Sequence, residues 1–161
     1  MKRLADLIIE RALRRPYLHL CHADGSFYMG RWWLFQTRWL SARVHRIATP
    51  DRDRHFHDHP FSFVSVILRG FYVESRPVSI DPIFTIDGKE LAKNSLREQY
   101  SIAYRRASDR HSISYVTIGG VWTLVFILPR VQWWGFYTPA GKIYWQDYVR
   151  AEQVANEARP K

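Results

Sequence analysis

The chain has 161 residues, of which 47% are hydrophobic and 16% aromatic. We expect one domain with an apolar core, and the aromatic content argues against a disordered chain because bulky side chains offset the entropy lost on folding. The formal net charge is +9, from 24 Lys and Arg against 15 Asp and Glu. Such an excess favours an anionic ligand or partner, and a solvated basic surface is an equal alternative.

The first predicted element is an amphipathic helix over residues 1–16 that ends before Pro16. Its apolar residues share one helical stripe and are expected to dock onto the rest of the domain: Leu4, Leu7, Ile8 and Ala12. The apolar run is too short to cross a bilayer, so no membrane partner is predicted, and a membrane-surface or transit-peptide role is the alternative to docking. The single cysteine, Cys21, cannot form an internal disulfide, which favours a reducing, cytoplasmic location.

After Pro16 the helical spacing gives way to short β-rich runs bounded by turn residues. The predicted strands are 26–29, 32–36, 39–47, 61–68, 71–75, 100–105, 112–117, 121–128, 133–137 and 142–145. Two glycine turns, Arg69-Gly70 and Gly119-Gly120, are interpreted as tight antiparallel connections. Residues 77–96 are predicted to be an irregular surface excursion, and residues 149–161 a charged tail that begins as a helix.

Many short strands without alternating helices predict an all-β fold, either a sandwich or a small barrel. We expect one domain over residues 1–161, with a helix in 1–16, a β-barrel over about 26–148 and a short tail. Exposed strand edges and seven tryptophans make a homodimer reasonable. The sequence contains no run of Lys or Arg and no nucleic-acid module, so no specific nucleic-acid partner is predicted.

Histidines concentrate in one segment, RHFHDHP at residues 54–60. In an extended strand residues i and i+2 project to the same side, so His57 and His59 can both point into a barrel while Asp58 points away. Imidazole is the commonest neutral nitrogen ligand for transition metals, and a metal needs several lone pairs that converge. The spacing therefore predicts two metal ligands, and a surface loop with exposed histidines and no ion is the alternative.

The sequence resembles the cupin superfamily of double-stranded β-helix barrels, or jelly rolls. His57, His59 and Gly70 fall at the spacing of the first cupin motif, whose acidic position here holds Phe63. The second motif centres on one histidine, and His111 in RRASDRH is the only later one. The segments HDHPFSFVSVILRGFYVE, RRASDRH, VWTLVFILPR and WGFYTPAGKIYW, in that order, are similar to small cupin-like proteins of phage and bacterial genomes. The resemblance covers about residues 30–148 and implies a cupin-type barrel.

This resemblance implies a metal centre made of His57, His59 and His111. A three-histidine set without the acid is similar to that of the cupins that act as thiol dioxygenases, which implies Fe2+, and Zn2+, Ni2+ and Mn2+ are chemically admissible. His45 and Glu74 are candidates for a fourth ligand. A hydrogen-bonding core histidine and a solvated edge acid are the commoner roles of such residues.

Arginines near these motifs are candidates for holding a small anionic substrate, a carboxylate or a phosphate: Arg43, Arg69 and Arg106. Only one of Arg105 and Arg106 can point inward from an extended strand, and we favour Arg106 because its parity matches Ile102 and Tyr104. Tyr104 or Glu74 could assist proton movement. The alternative is that these arginines are barrel-rim charges paired with acids.

Three functional hypotheses follow from these residues. The leading one is a metal-dependent oxygenase, most simply a dioxygenase, that acts on a small anion. The second is a non-catalytic binding module that captures a nucleotide or other phosphorylated ligand in a cavity lined by Arg and aromatic residues. The third is a sugar-nucleotide isomerase or epimerase, which needs a general base and has only His45, His111 and Glu74 to supply one.

Overall fold

The computed structural model describes residues 2–22, 24–52 and 55–157, in which the chain forms two helices and eleven strands. The elements in chain order are α1 (Lys2–Leu13), β1 (Tyr17–Cys21), β2 (Phe27–Gln36), β3 (Ser41–Ile47), β4 (Phe63–Arg69), β5 (Tyr72–Pro77), β6 (Ala92–Arg97), β7 (Ile102–Arg105), β8 (Ser112–Val116), β9 (Val121–Ile127), β10 (Gly135–Thr138), β11 (Gly141–Tyr144) and α2 (Trp145–Glu157). Neither described helix has the length and apolar character needed to cross a membrane.

The strands form three antiparallel sheets, and the two larger ones share a core. One sheet has six strands in the order β1-β2-β3-β9-β4-β7, the other has three in the order β6-β5-β8, and β10 and β11 pair separately. Buried residues from both larger sheets make one apolar cluster at one end of the interior: Met29, Ile47, Ile67, Tyr72, Ile113, Val116 and Val121. The predicted all-β fold, a jelly roll with short terminal helices, is confirmed.

Strand β4 is covered on both faces, as its continuous apolar run predicts. Phe63, Ser65 and Ile67 are buried on the inner face. Leu68 points the other way and packs against α1. The inward-facing row that begins at the histidine segment therefore continues along β4.

The helix α1 docks through a different stripe from the one its sequence predicts. Ala5, Ile9 and Ala12 are buried, whereas Leu4 and Leu7 are 62% and 59% exposed. Because alanine side chains are small, the helix can approach the sheet closely on the face that carries Ala5 and Ala12. The buried face is therefore not the one with the largest apolar residues. The predicted burial of Leu4 and Leu7 is wrong.

The two glycine turns are corners between sheets, so their interpretation as antiparallel connections is wrong. Gly70 joins β4 of the six-stranded sheet to β5 of the three-stranded sheet, and Gly120 leads from β8 back to β9. Both glycines have positive φ, 82° and 86°. A Cβ on Gly70 would lie 2.7 Å from the Cγ2 of Thr117 and 3.1 Å from the carbonyl oxygen of Gly120. The two corners are thus in contact, and a side chain on Gly70 would force them apart.

Strands β1 and β6 lie outside the predicted strands, and two of the predicted strands form the single strand β2. The β structure begins at Tyr17 with β1, which lies at a sheet edge and is mostly exposed. The predicted excursion ends in β6, another edge strand whose polar sequence shows no clear apolar alternation. The predicted strands 26–29 and 32–36 merge into the continuous strand β2, which begins at Phe27. Edge strands bury little surface, so their sequences carry a weak periodic signal.

We predict that Ile9→Ala lowers the free energy of unfolding by about 2 to 4 kcal/mol, because it removes a buried side chain that joins α1 to the sheet. The exposed Leu7 is the matched control, and Leu7→Ala should change that free energy by less than about 0.5 kcal/mol. Urea unfolding followed by circular dichroism measures both. Equal losses in the two variants would contradict the docking stripe described here.

Candidate metal centre

Backbone pairing brings the histidine segment against the start of β8. The His57 amide donates to the His111 carbonyl at 3.1 Å, and the His111 amide donates to the His57 carbonyl at 3.0 Å. On its other side the segment meets β10, where the Asp58 amide donates to the Gly135 carbonyl at 3.2 Å. In the described part of the segment, His57 forms isolated β-bridges and no strand of its own is present. The segment is held between two partners, which fixes the direction of its side chains.

The three imidazoles of His57, His59 and His111 form a compact triangle. Their ring centroids are separated by 5.2, 5.1 and 4.9 Å. One ring nitrogen from each lies within 4.8 Å of the others, and the Nε2 atoms of His59 and His111 are 2.7 Å apart. The structure therefore brings together the three residues that the cupin resemblance implies.

A buried carboxylate lies behind His111. The Nδ1 of His111 is 2.8 Å from Oε1 of Glu74, whose side chain is 1% exposed. Because an ionised carboxylate only accepts hydrogen bonds, Nδ1 carries the proton and the Nε2 lone pair points toward His59. This is the arrangement in which an outer carboxylate orients a metal-ligating imidazole.

Glu74 is held ionised by its neighbours. Its Oε1 accepts a hydrogen bond from the Nε of Arg105 at 2.8 Å, its Oε2 accepts from the Nε of Arg97 at 3.0 Å, and a second Arg105 nitrogen also donates to Oε2. Burial by itself would raise the pKa of Glu74, but the hydrogen bonds and charges of His111 and Arg105 outweigh burial and hold the pKa well below its usual range. A carboxylate of such low basicity is poorly suited to act as a general base.

Neither candidate for a fourth ligand joins the triangle. Within residues 2–22, 24–52 and 55–157 the group of converging ligand atoms contains only the three histidines. Glu74 is occupied by His111 and two arginines, and His45 lies on β3 with its Nε2 buried and without a hydrogen-bond partner. His55, the remaining histidine of the segment, contacts Tyr148 of α2 instead, with 2.9 Å between Nδ1 and the hydroxyl.

The donor atoms fit a transition metal ion. Burial is the main reason that the pKa of His57 is lowered to about 4, and burial together with His111 and His57 holds the pKa of His59 well below its usual value. Both rings are thus neutral near pH 7, as ligation requires. The Nδ1 of His57 is buried and lacks a hydrogen-bond partner. Neighbouring nitrogen ligands of one ion lie about 3 Å apart when each metal–nitrogen distance is about 2.1 Å, close to the separation of the two Nε2 atoms.

Asp58 anchors the segment between the two ligating positions. Its side chain is fully buried. It forms an ion pair of 2.5 Å with the Nζ of Lys142 and accepts a hydrogen bond of 2.9 Å from the Gly135 amide. Gln132 and Tyr137 also donate to it, at 2.9 and 3.1 Å. The sequence predicts that Asp58 points away from the histidines. In the structure its side chain connects the segment to β10 through Gly135 and to β11 through Lys142.

Three residues predicted to serve the substrate lie elsewhere. Arg105 is the inward arginine of β7, 5% exposed, so the predicted inward orientation of Arg106 is wrong. Ile102 and Tyr104, whose parity supported Arg106, are 68% and 53% exposed, and Tyr104 therefore faces away from the histidines. Arg69 is also exposed and pairs with Asp6 of α1. The outer face of β7 is exposed at both residues, so apolar residues there do not mark the inside.

Arg43 does lie on the inner face, with an arginine that sequence analysis missed. On β2 and β3, Arg31 is directly opposite His45 and Arg43 is opposite Trp33. The inner face of β3 is thus basic where the neighbouring apolar cluster ends. Arg31 falls in the gap between two predicted strands, and treating β2 as one strand with alternating sides would have found it.

Solved structures resemble this fold. Fe(II)-HppE with an alternative substrate has a TM-score of 0.52 and 16% identity over 73% of this chain and 57% of that one. DMSP lyase DddQ from Ruegeria pomeroyi DSS-3 has a TM-score of 0.55 and 14% identity over 79% of this chain and 62% of that one. The chain thus spans about three fifths of the length of these structures. No protein-family model and no curated protein matches the sequence. The structural likeness defines a cupin-like fold, as predicted.

We predict that Asp58→Asn lowers the free energy of unfolding by about 3 kcal/mol, because it leaves Lys142 without its buried counter-charge. Asp24, which pairs with Arg52 at the surface, is the matched control. Asp24→Asn should leave that free energy nearly unchanged, since exposed ion pairs contribute little. Chemical unfolding of both variants, without added metal, measures the effect. Similar stabilities would show that Asp58 is not an anchor.

Proposed function

We propose that this chain binds a divalent transition metal through His57, His59 and His111 and acts on a small anionic substrate as a metal-dependent oxygenase. The observation that supports this most directly is the convergence of three imidazoles, one of which is oriented by Glu74. A bound ion would supply positions at which substrate and oxygen can be activated together. Fe2+ is the first ion to test, since a structural neighbour is an Fe(II) protein.

The protein's own residues have separable roles in this proposal. His111 presents a fixed Nε2 lone pair because Glu74 accepts the proton on Nδ1. Aromatic side chains pack beside the imidazoles: Phe63 lies 4.9 Å from His59, and Phe136 lies 5.6 Å from His57, measured between ring centroids. Low local polarity strengthens both ligation and the attraction of an anion to nearby guanidinium groups.

An oxygenase is favoured over an isomerase or epimerase by the state of the candidate bases. Glu74 is surrounded by cations, and the Nδ1 of His111 is already bonded to it. His45 is the remaining candidate, and burial with the nearby Arg31 and Arg43 holds its pKa well below the usual range, which makes it a weak base. The non-catalytic module remains the second proposal, supported by inward-facing arginines that have no acidic partner among the described residues.

We predict that wild-type protein, reconstituted anaerobically with Fe2+ and desalted, retains about one ion per chain, because three converging ligands hold it. His57→Ala combined with His59→Ala should retain almost none. His19→Ala is the control, since His19 is exposed on β1, away from the triangle. Elemental analysis, repeated with Zn2+, Ni2+ and Mn2+, gives the result. Equal metal content in the double variant and the control would overturn the proposed centre.

We further predict that the Fe2+-loaded protein binds nitric oxide, an analogue of oxygen that adds only where an ion keeps an exchangeable position. Three protein ligands leave such positions, so electron paramagnetic resonance should show a high-spin iron–nitrosyl signal. The double histidine variant is the negative control. A protein that holds Fe2+ but gives no such signal has a closed, structural site, and the oxygenase proposal then fails.

Glu74→Gln should weaken metal binding by about 10- to 100-fold, because it removes the anion that orients the His111 ring. Arg97→Met is the matched control: it also breaks an ion pair to Glu74 but does not contact His111. Metal affinity in the control should stay within about threefold of wild type, since the outer carboxylate is retained. Competition with a chromophoric chelator measures both, and circular dichroism verifies folding. Equal weakening would show that the loss follows destabilisation rather than ligand orientation.

A further inference from the structure

The inner face of the six-stranded sheet carries two guanidinium groups side by side. Arg31 lies on β2 and Arg43 on the adjacent strand β3. His45 is directly opposite Arg31, and Arg43 is two residues from His45 on the same face. Continuing across the sheet, His45 is opposite Thr123 and Arg43 is opposite Val125, both buried. Diagonal neighbours of this kind are close enough for long side chains to converge on one ligand.

These two arginines have no acidic partner among the described residues. The Nε of Arg31 donates only to the Sδ of Met29 at 3.4 Å, and sulfur is a weak acceptor. The guanidinium of Arg43 lies 5.0 Å from the centre of the Trp33 ring, and its Nε is buried without a hydrogen-bond partner. The Nε2 of His45 is likewise buried and unpartnered. Three polar groups thus present unused hydrogen-bonding capacity to the interior.

Two other buried arginines have acidic partners. Arg105 pairs with Glu74, and Arg110 pairs with Glu90 at 2.8 Å, with all four side chains at most 6% exposed. Burial of a guanidinium without a counter-ion is unfavourable, and it lowers the pKa of both Arg31 and Arg43. The described part of the chain thus neutralises two buried arginines and supplies no acid to two other inward-facing ones, which leaves a place for the negative charge of a ligand.

The uncompensated pair lies near the histidine triangle. Arg43 is opposite Val125, Val125 is opposite Ser65 of β4, and the next inner residue along β4, Phe63, has its ring centroid 4.9 Å from that of His59. An anion held by the arginines would therefore have the rest of its molecule close to the imidazoles.

We propose that Arg31, Arg43 and His45 form a binding site for the phosphoryl group of a small substrate. This inference rests on the proposed function in that it names the substrate class of the same interior, but the anion site needs no metal. Two uncompensated guanidiniums match the two negative charges of a phosphoryl group, and its three oxygens can engage both planar forks and the His45 ring at once. A carboxylate offers one charge and two oxygens, and leaves one guanidinium unneutralised.

The test uses inorganic phosphate as the probe and full-length, chelator-treated protein. Calorimetric titration should show saturable phosphate binding with a Kd on the order of 1 mM or tighter, at least about tenfold tighter than acetate. Arg31→Gln and Arg43→Gln should each weaken phosphate binding by about tenfold or more, since each removes charge-assisted hydrogen bonds. Arg38→Gln is the matched control, because Arg38 also lies over a tryptophan, Trp39 at 4.9 Å, but is exposed in the turn between β2 and β3.

A second measurement separates binding from a structural role. In phosphate-free buffer Arg31→Gln and Arg43→Gln should melt at the same temperature as wild type or higher, because each removes an uncompensated buried charge. Added phosphate should raise the melting temperature of wild type and of Arg38→Gln but not of the two variants. Absence of saturable phosphate binding, equal affinity for acetate, or unchanged binding in both variants would overturn the inference. Phosphate binding by a protein that retains no metal would uphold it and refute the metal centre alone.

Discussion

The paired backbone hydrogen bonds between His57 and His111 are the constraint on which the centre depends. Residues that exchange both bonds in an antiparallel pair have their side chains on the same face and next to each other. His59 then reaches the same point because it is two residues along an extended segment. Neutral imidazoles do not attract one another strongly enough to assemble such a group. The backbone brings them together, and Asp58 keeps the backbone in place from the other side.

The interior contains two kinds of buried charge. In the first kind the fold supplies the counter-ion, as with Glu74 between Arg97 and Arg105, and the result is a fixed electrostatic support behind His111. In the second kind, at Arg31 and Arg43, no acid of the described chain faces the guanidiniums. The first arrangement makes the imidazole geometry independent of any ligand. In the second arrangement, the electrostatic energy of the interior depends on whether an anion binds beside these guanidiniums.

Much of this arrangement could be predicted from the sequence, because it follows from local periodicity. The continuous apolar run of β4 indicates a strand covered on both faces, and the i, i+2 spacing places His57 and His59 on one side with Asp58 on the other. Connections between sheets are harder to predict from the sequence. A glycine pair indicates a turn but not whether the chain returns within a sheet or crosses to another, and Gly70 and Gly120 do the latter.

The wrong predictions of which face of an element is buried have a common physical cause. Apolar residues predict the inside of β7 and the docking face of α1, yet Ile102 and Leu7 are exposed. The inward positions are held instead by Arg105, which a distant glutamate neutralises, and by small alanines of α1. Which side of an element is buried depends on partners far away in the sequence. Glu74 is another such case, since only the assembled sheets bring it to His111.

The alternation at residues 57–59 makes this tripeptide intolerant of changes in chain length. Its outer positions serve the imidazole triangle, and its middle position serves Lys142. Inserting or deleting a single residue would exchange the two sides, so a carboxylate would face the ring nitrogens and an imidazole would face an ammonium group. Substitutions here remove one contact at a time, whereas a frame slip of one position removes the ligands and their anchor together.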